Sequence, residues 1–184
     1  MRHWLLLAFS LALASCGHPT PLPVYWQIPA FQLTAQSGQP FDSKSLAGNI
    51  WVADFIYTTC PGPCPRMSAK MRGVQSAIES MPGVKLVSFT VDPKNDTPAV
   101  LTAYATRYRA EPGRWYFLTG SQAELETLCR NGFKLGDVDG TLAHSTRFVL
   151  VDRHSRVRGL YGASEDGAVP KLLHDIRTLA GEKS

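Results

Sequence analysis

Hydrophobic and polar positions change period several times along the chain, and each change marks an element. Ile50 to Tyr57 (Ile-Trp-Val-Ala-Asp-Phe-Ile-Tyr) is a β-branched and aromatic run, the pattern of a buried central strand. Beyond it Met67, Met71, Val74 and Ile78 recur at helical spacing with Pro82-Gly83 as a stop, so a helix follows the strand. Val84 to Val91 reads as a second buried strand, and Asp92-Pro93 followed by Asp96-Thr97-Pro98 opens a capped, proline-started helix to about Arg109. Trp115 to Leu118 predicts a third strand; Ser121 with Glu124 forms a capping box that starts a helix to about Arg130. Phe148 to Val151 and Val157 to Tyr161 flank Asp152 to Ser155 as a terminal hairpin, and Lys171 to Leu179 supplies a last helix. Near the start, Phe31 to Thr34 and Pro40 to Phe41 flank Ser37-Gly38 as a short hairpin-like entry.

This order predicts an α/β domain over residues 31–184: a mixed central sheet with helices on both faces and an N-terminal hairpin added to it. No internal repeat or low-complexity segment marks a second domain. A chain of 184 residues, 44% hydrophobic and 18% charged, is large enough for one real core, which excludes a disordered or fibrous protein. The net charge of +4 is not gathered into any block of five or more basic residues, so nucleic-acid binding gains no support. No apolar stretch reaches the ~20 residues of a membrane-spanning helix.

Residues 1–15 carry Arg2, the apolar run Trp4 to Ala14 and then Leu13-Ala14-Ser15 before Cys16, the order of a secretory signal. Small residues directly before a cysteine resemble the bacterial lipobox. The expectation is a lipoprotein signal peptide cleaved so that Cys16 becomes the acylated first residue, with the product lipid-anchored on the periplasmic side of a bacterial membrane. Pro19, Pro21, Pro23 and Pro29 punctuate residues 16–30, which read as an extended tether between lipid and domain. Cys60, Cys64 and Cys129 remain, in an export compartment where thiols oxidise unless used or protected.

Cys60-Pro61-Gly62-Pro63-Cys64-Pro65 sets two thiols four residues apart at a helix start, where the dipole and free N–H groups favour thiolate, the form that binds metal. Helical residues four apart have Cβ atoms about 5–6 Å apart, wider than the ~3.5–4.5 Å of a disulfide. A metal ion and a slightly unwound disulfide both fit. The third intervening residue, one more than in the thioredoxin Cys-x-x-Cys, widens the bite and suits an ion better than rapid dithiol exchange.

Three ordered segments carry a resemblance. Tyr57-Thr58-Thr59-Cys60-Pro61-Gly62-Pro63-Cys64-Pro65 resembles the copper-site segment of the Sco/SenC family of thioredoxin-like proteins. Phe89-Thr90-Val91-Asp92-Pro93-Lys94-Asn95-Asp96-Thr97-Pro98 resembles that family's strand-end segment, and His144-Ser145-Thr146 leading into Phe148-Val149-Leu150-Val151-Asp152 resembles its histidine segment. The resemblance covers about residues 31 to 180 and implies a thioredoxin-like fold. It implies that Cys60, Cys64 and His144 bind copper as Cu(I) or Cu(II), and that the protein acts as a copper chaperone for the binuclear copper centre of cytochrome c oxidase subunit II. Two thiolates and one imidazole are soft enough for Cu(I) yet able to hold Cu(II). No proline occurs between Pro112 and Pro170, where thioredoxins keep one beside their cysteines; His144 stands in that region. The anchor departs from many family members, with lipid on Cys16 in place of a transmembrane helix.

Other residues receive plainer readings. Met67, Met71 and Met81 fill core, Cys129 is a buried inert thiol beside Leu125 and Leu128, and His3, His18, His154 and His174 are surface groups. Asp92, at a strand end, and Asp96 are candidates to tune the site from behind its ligands, with Asp96 equally readable as a helix cap. Copper delivery by ligand exchange is not enzymatic turnover, and the chain is expected to act as a monomer. A thiol-disulfide oxidoreductase that reduces a partner's cysteines through Cys60 and Cys64 is the alternative, and a redox or copper sensor ranks last. His144 separates the first two: a metal site needs the imidazole and dithiol exchange does not.

Overall fold

The computed structural model describes residues 21–135 and 145–182. The signal peptide and Cys16 expected at the N-terminus, and His144, lie outside the described residues. Within them no helix is long and apolar enough to cross a membrane.

Strands β1 (Gln32–Ala35) and β2 (Pro40–Asp42) form the entry hairpin, turning at Gly38, whose φ of +78° is open to glycine at no steric cost. A short 3-10 turn, Ser43–Leu46, leads to β3 (Ile50–Ile56), all seven residues of which are buried. Helix α1 (Pro63–Ala77), β4 (Val84–Thr90), α2 (Pro98–Arg107) and β5 (Trp115–Thr119) follow, then α3 (Gln122–Thr127), β6 (Arg147–Val151), β7 (Val157–Gly162) and α4 (Ala168–Gly181). Among the described residues the strands make one seven-stranded sheet in the order β2-β1-β5-β4-β3-β6-β7. β3, β4 and β5 run parallel; β1 and β6 flank them antiparallel. The sheet is mixed and the fold is α/β, with the hairpin added at one edge.

Alternation along the strands sorts the core into two layers. Ile50, Val52 and Ile56 turn toward Met67, Met71 and Val74 of α1, Leu101 of α2 and Leu172 and Ile176 of α4. Trp51, Ala53 and Phe55 turn to the other face, where Leu125 and Leu128 pack and Phe55 stacks on Phe89 and meets Phe133 edge-on. Met67 and Met71 are core, and Cys129 is buried with its thiol raised by burial to about 11.

Two elements differ from the sequence pattern. The helix opened by the Ser121–Glu124 capping box leaves α-geometry after Thr127 and continues as one π turn, Leu128–Gly132, with Phe133 N–H bonded to the Leu128 carbonyl at 2.9 Å. The wider turn lets Leu128, Cys129 and Phe133 all reach the core. The described part of the expected tether, residues 21–30, is laid against the domain: Tyr25 N–H and Trp26 C=O bond to Val157, Ile28 N–H bonds to the Ser155 carbonyl, and Ile28 is buried. Buried Arg158 binds the Leu22 and Pro23 carbonyls while pairing with Asp152 and Glu182. The folded unit therefore includes residues before Phe31.

Candidate metal site

β3 delivers the chain to the end of the sheet, and Tyr57 to Gly62 carries it over to α1. A backbone bond from Cys60 N–H to the Tyr57 carbonyl, 3.3 Å, closes this turn. Pro63 starts α1, where a fixed φ and a missing N–H cost nothing, so Cys64 falls in the first turn as its pattern required. Neither thiol is in a disulfide; Cys60 is 6% exposed and Cys64 fully buried.

The two thiols have opposite tendencies. Burial opposes ionisation of Cys60, but hydrogen bonds from the Cys64 and Gly62 backbone N–H groups, from the Cys64 thiol and from the Tyr57 hydroxyl outweigh it and hold the Cys60 thiol below its ordinary value. Burial pushes the Cys64 thiol far up; a backbone hydrogen bond from Tyr57 offsets little of this, and negative charge on Cys60 or Asp54 adds to it. The Tyr57 hydroxyl is raised, first because it is spent as a hydrogen bond on Cys60, then by burial and by charge on Cys60, Cys64 and Asp92. Cys60 is thus the ready thiolate and Cys64 the proton-holding partner.

The loop below the pair is held from behind. Fully buried Asp96 accepts the Thr58 backbone N–H at 3.1 Å, the Thr58 hydroxyl at 2.5 Å and the Thr90 hydroxyl at 2.5 Å. The helix-cap reading of Asp96 is corrected here: Thr97 is the N-cap of α2, accepting Val100 N–H, while the Asp96 carboxylate is spent on the loop. Asp92 accepts the Asn95 side-chain amide at 2.8 Å, and its own N–H is fixed on the Thr90 hydroxyl at 2.9 Å. Thr90 therefore ties both acidic residues to the end of β4.

Among the described residues no group of three His, Cys, Asp or Glu side chains gathers as a metal site. Cys60 and Cys64 supply two sulfurs there, and His144 lies outside those residues. Two thiols of low exposure at a helix start, one already biased to thiolate, form a donor pair whose softness suits Cu(I). Sequence reasoning missed two residues beside them. Tyr57 lies inside the quoted motif but received no role, and Asp54 is a lone carboxylate in an otherwise apolar strand, which is the signal that would have found it.

A model of the SCO1/SenC family matches residues 26–181. The chain belongs to the SCO1/SenC family. Its thioredoxin-like architecture is shared with the solved structure of a SCO1/SenC family lipoprotein from Bacillus anthracis, at TM-score 0.77 and 32% identity over 84% of this chain and 95% of that one. It is similar to BsSco, described as a member of the Sco family of cytochrome c oxidase assembly proteins with a disulfide switch, at TM-score 0.77 and 30% identity over 89% of this chain and 100% of that one. It is similar also to copper-bound ScoI from Bradyrhizobium japonicum, at TM-score 0.68 and 25% identity over 83% and 99% of the two chains. The family match begins at residue 26, within the segment that the fold lays along β7.

Proposed function

We propose that this SCO1/SenC protein handles copper for cytochrome c oxidase assembly, holding it through Cys60, Cys64 and His144 and passing it to the copper centre of subunit II. The observation that carries the reading is the paired thiols at the α1 start, with Cys60 biased to thiolate by four hydrogen bonds. Copper is cargo: three protein ligands leave a position at which an acceptor's thiol enters before the donor's leave. Copper bound to ScoI and the cytochrome c oxidase assembly role ascribed to BsSco's family support it. The lipobox-like run before Cys16 supports a lipid anchor on the periplasmic side of a bacterial membrane, as does the description of the Bacillus anthracis relative as a lipoprotein.

Thiol-disulfide exchange is the second reading, favoured by the asymmetry of the pair, since a low thiol beside a protonated one is the arrangement of an attacking and a resolving cysteine. One experiment separates the two. Copper-loaded protein is mixed with the purified apo copper domain of subunit II, and copper on the acceptor is counted for wild type and His144→Ala. Delivery requires transfer by wild type and its loss in the variant. Reduction of the oxidised acceptor by both proteins, without copper transfer by either, would replace delivery by exchange.

A further inference from the structure

Three segments meet at the end of the sheet where β3 begins. Gly48 N–H, just before β3, donates to the Arg153 carbonyl at 3.1 Å, in the turn between β6 and β7. Residues 22–28 cross the same turn, with Ile28 N–H on the Ser155 carbonyl at 2.7 Å and Tyr25 N–H on the Val157 carbonyl at 2.9 Å. The Arg153 side chain also closes the C-terminus of α4, donating to the Leu179 carbonyl at 2.8 Å and the Ala180 carbonyl at 3.4 Å. Cys60 and Cys64 follow the other end of β3, so the seven residues of that strand, about 23 Å of extended chain, stand between this pole and the thiols.

The pole is apolar where it meets solvent, and cationic around that patch. Among the described residues Val24 and Tyr25 are the most exposed large hydrophobic ones, each at 53%, with exposed Pro21 and Pro23 before them. Trp26 follows, half-buried, its indole N–H held on the Gly132 carbonyl at 2.8 Å and its ring covered by exposed Lys134, with Nζ 4.9 Å from the ring centroid. The acids of the pole are spent: Asp152 pairs with Arg156 and Arg158, and Glu182 with Arg158. Arg153 and Lys134 are cations over and above these pairs. Exposed aromatic and aliphatic side chains among cations make the composition that seats on bilayer headgroups, the cations favouring anionic lipid.

We propose that this pole, with Val24 and Tyr25 at its centre, seats on the anionic phospholipid surface to which Cys16 is tied, so that Cys60 and Cys64 face away from the membrane. The inference rests on the reading of Cys16 as the lipid-bearing residue and is independent of copper. Chain length supports it. Residues 17–21 alone separate Cys16 from Leu22, whose carbonyl Arg158 holds, and such a link reaches at most about 20 Å. A tether free as far as residue 30 would reach about 50 Å and let the domain turn any face to the lipid. Residues 22–28 are bound to the domain instead, which leaves a leash too short for that freedom and brings the apolar patch to the lipid.

The test uses the full chain, produced in a bacterial host and reconstituted into vesicles of phosphatidylethanolamine and phosphatidylglycerol that carry a headgroup-bound quencher. A fluorophore is placed at His154→Cys, on the pole, or at Ser164→Cys, beside Pro63 and Arg66 at the thiol end, with Cys60→Ala and Cys64→Ala so that the introduced thiol reacts. Emission at 154 should be quenched several-fold more than at 164, and Val24→Asp with Tyr25→Asp should bring the two together while the protein stays on the vesicles. Wild type supplies a readout without labels: Trp51 and Trp115 are buried, so the quencher lipid should lower tryptophan emission through Trp26, and Trp26→Phe should abolish the drop. Acylated protein that stays on the vesicles with both labels quenched alike, or an aspartate pair that leaves the difference intact, overturns the inference and leaves the lipid anchor standing. A doubled mass in neutral detergent that Tyr25→Asp halves would give the face to a second copy and overturn it also. A chain that carries no lipid at Cys16 and washes off the vesicles overturns both readings.

Discussion

Asp96 holds Thr58 by both its backbone N–H and its hydroxyl, across 38 positions of sequence, and so anchors the loop that ends in Cys60. The same carboxylate also accepts the Thr90 hydroxyl. Asp96→Ala leaves these donors without their shared acceptor in a buried place, and is expected to destabilise the fold by about 2–3 kcal/mol. Chemical denaturation measures this. Copper affinity of the folded fraction should also fall, because the loop that presents Cys60 loses its support; unchanged affinity would show that the turn holds itself.

Tyr57→Phe removes one hydroxyl and little volume. The Cys60 thiolate loses a hydrogen bond, so the thiol should titrate higher and alkylation of Cys60 at neutral pH should slow several-fold. The pH profile of alkylation checks the direction: its midpoint should move up in the variant. An unmoved midpoint would assign the bias of Cys60 to the backbone N–H groups of Gly62 and Cys64 and to the Cys64 thiol.

Asp54 couples stability to pH with a definite sign. Its folded value of about 7 lies above its ordinary 3.8, so between these the folded state holds a proton that the unfolded state has lost, and stability falls as pH rises through this window. The full cost above the window is roughly 4 kcal/mol, at about 1.4 kcal/mol per unit. Urea unfolding of wild type against Asp54→Asn should therefore show the variant gaining on wild type from about pH 4 to pH 8. Parallel curves would mean that Asp54 ionises normally.

Arg158 ties the two ends of the folded unit together. Its guanidinium binds the Leu22 and Pro23 carbonyls, buried Asp152 and the more exposed Glu182. Arg158→Met takes one of the two arginine partners from buried Asp152, leaving it Arg156 and the His154 backbone N–H, and a loss of about 3–5 kcal/mol is expected. Limited proteolysis should then cut between Leu22 and Ile28 first, a site protected in wild type.

The strongly periodic parts of this fold were legible in the sequence. Ile50 to Ile56 reads as a buried strand because every residue but Asp54 is apolar, and the alternating Phe148–Val151 and Val157–Tyr161 runs pair as expected. What stayed hidden depends on distant partners. The π turn at Leu128–Gly132 follows from packing: Gly132 lies where a Cβ would come within 2.9 Å of Leu128, and its carbonyl takes the Trp26 indole N–H. The prolines before Phe31 suggest extended chain in preference to packing, and nothing local says that such chain lies on β7, because the residues that seize it are Val157 and Arg158, far along the sequence. At the site, Cys60 and Cys64 were readable from spacing and helix start. Asp96 was half legible: its short spacing to Pro98 suggests a cap, and only the folded loop shows Thr58 above it.

The most direct measurement is the copper stoichiometry of the reduced protein, with its thiolate-to-copper charge-transfer absorption, in wild type, Cys60→Ala, Cys64→Ala and His144→Ala. One tightly held copper in wild type, lost with its absorption in all three variants, is the expected result. Wild type that binds no copper above a nonspecific level while readily reducing a disulfide substrate would contradict the metal site and make the two thiols an exchange pair.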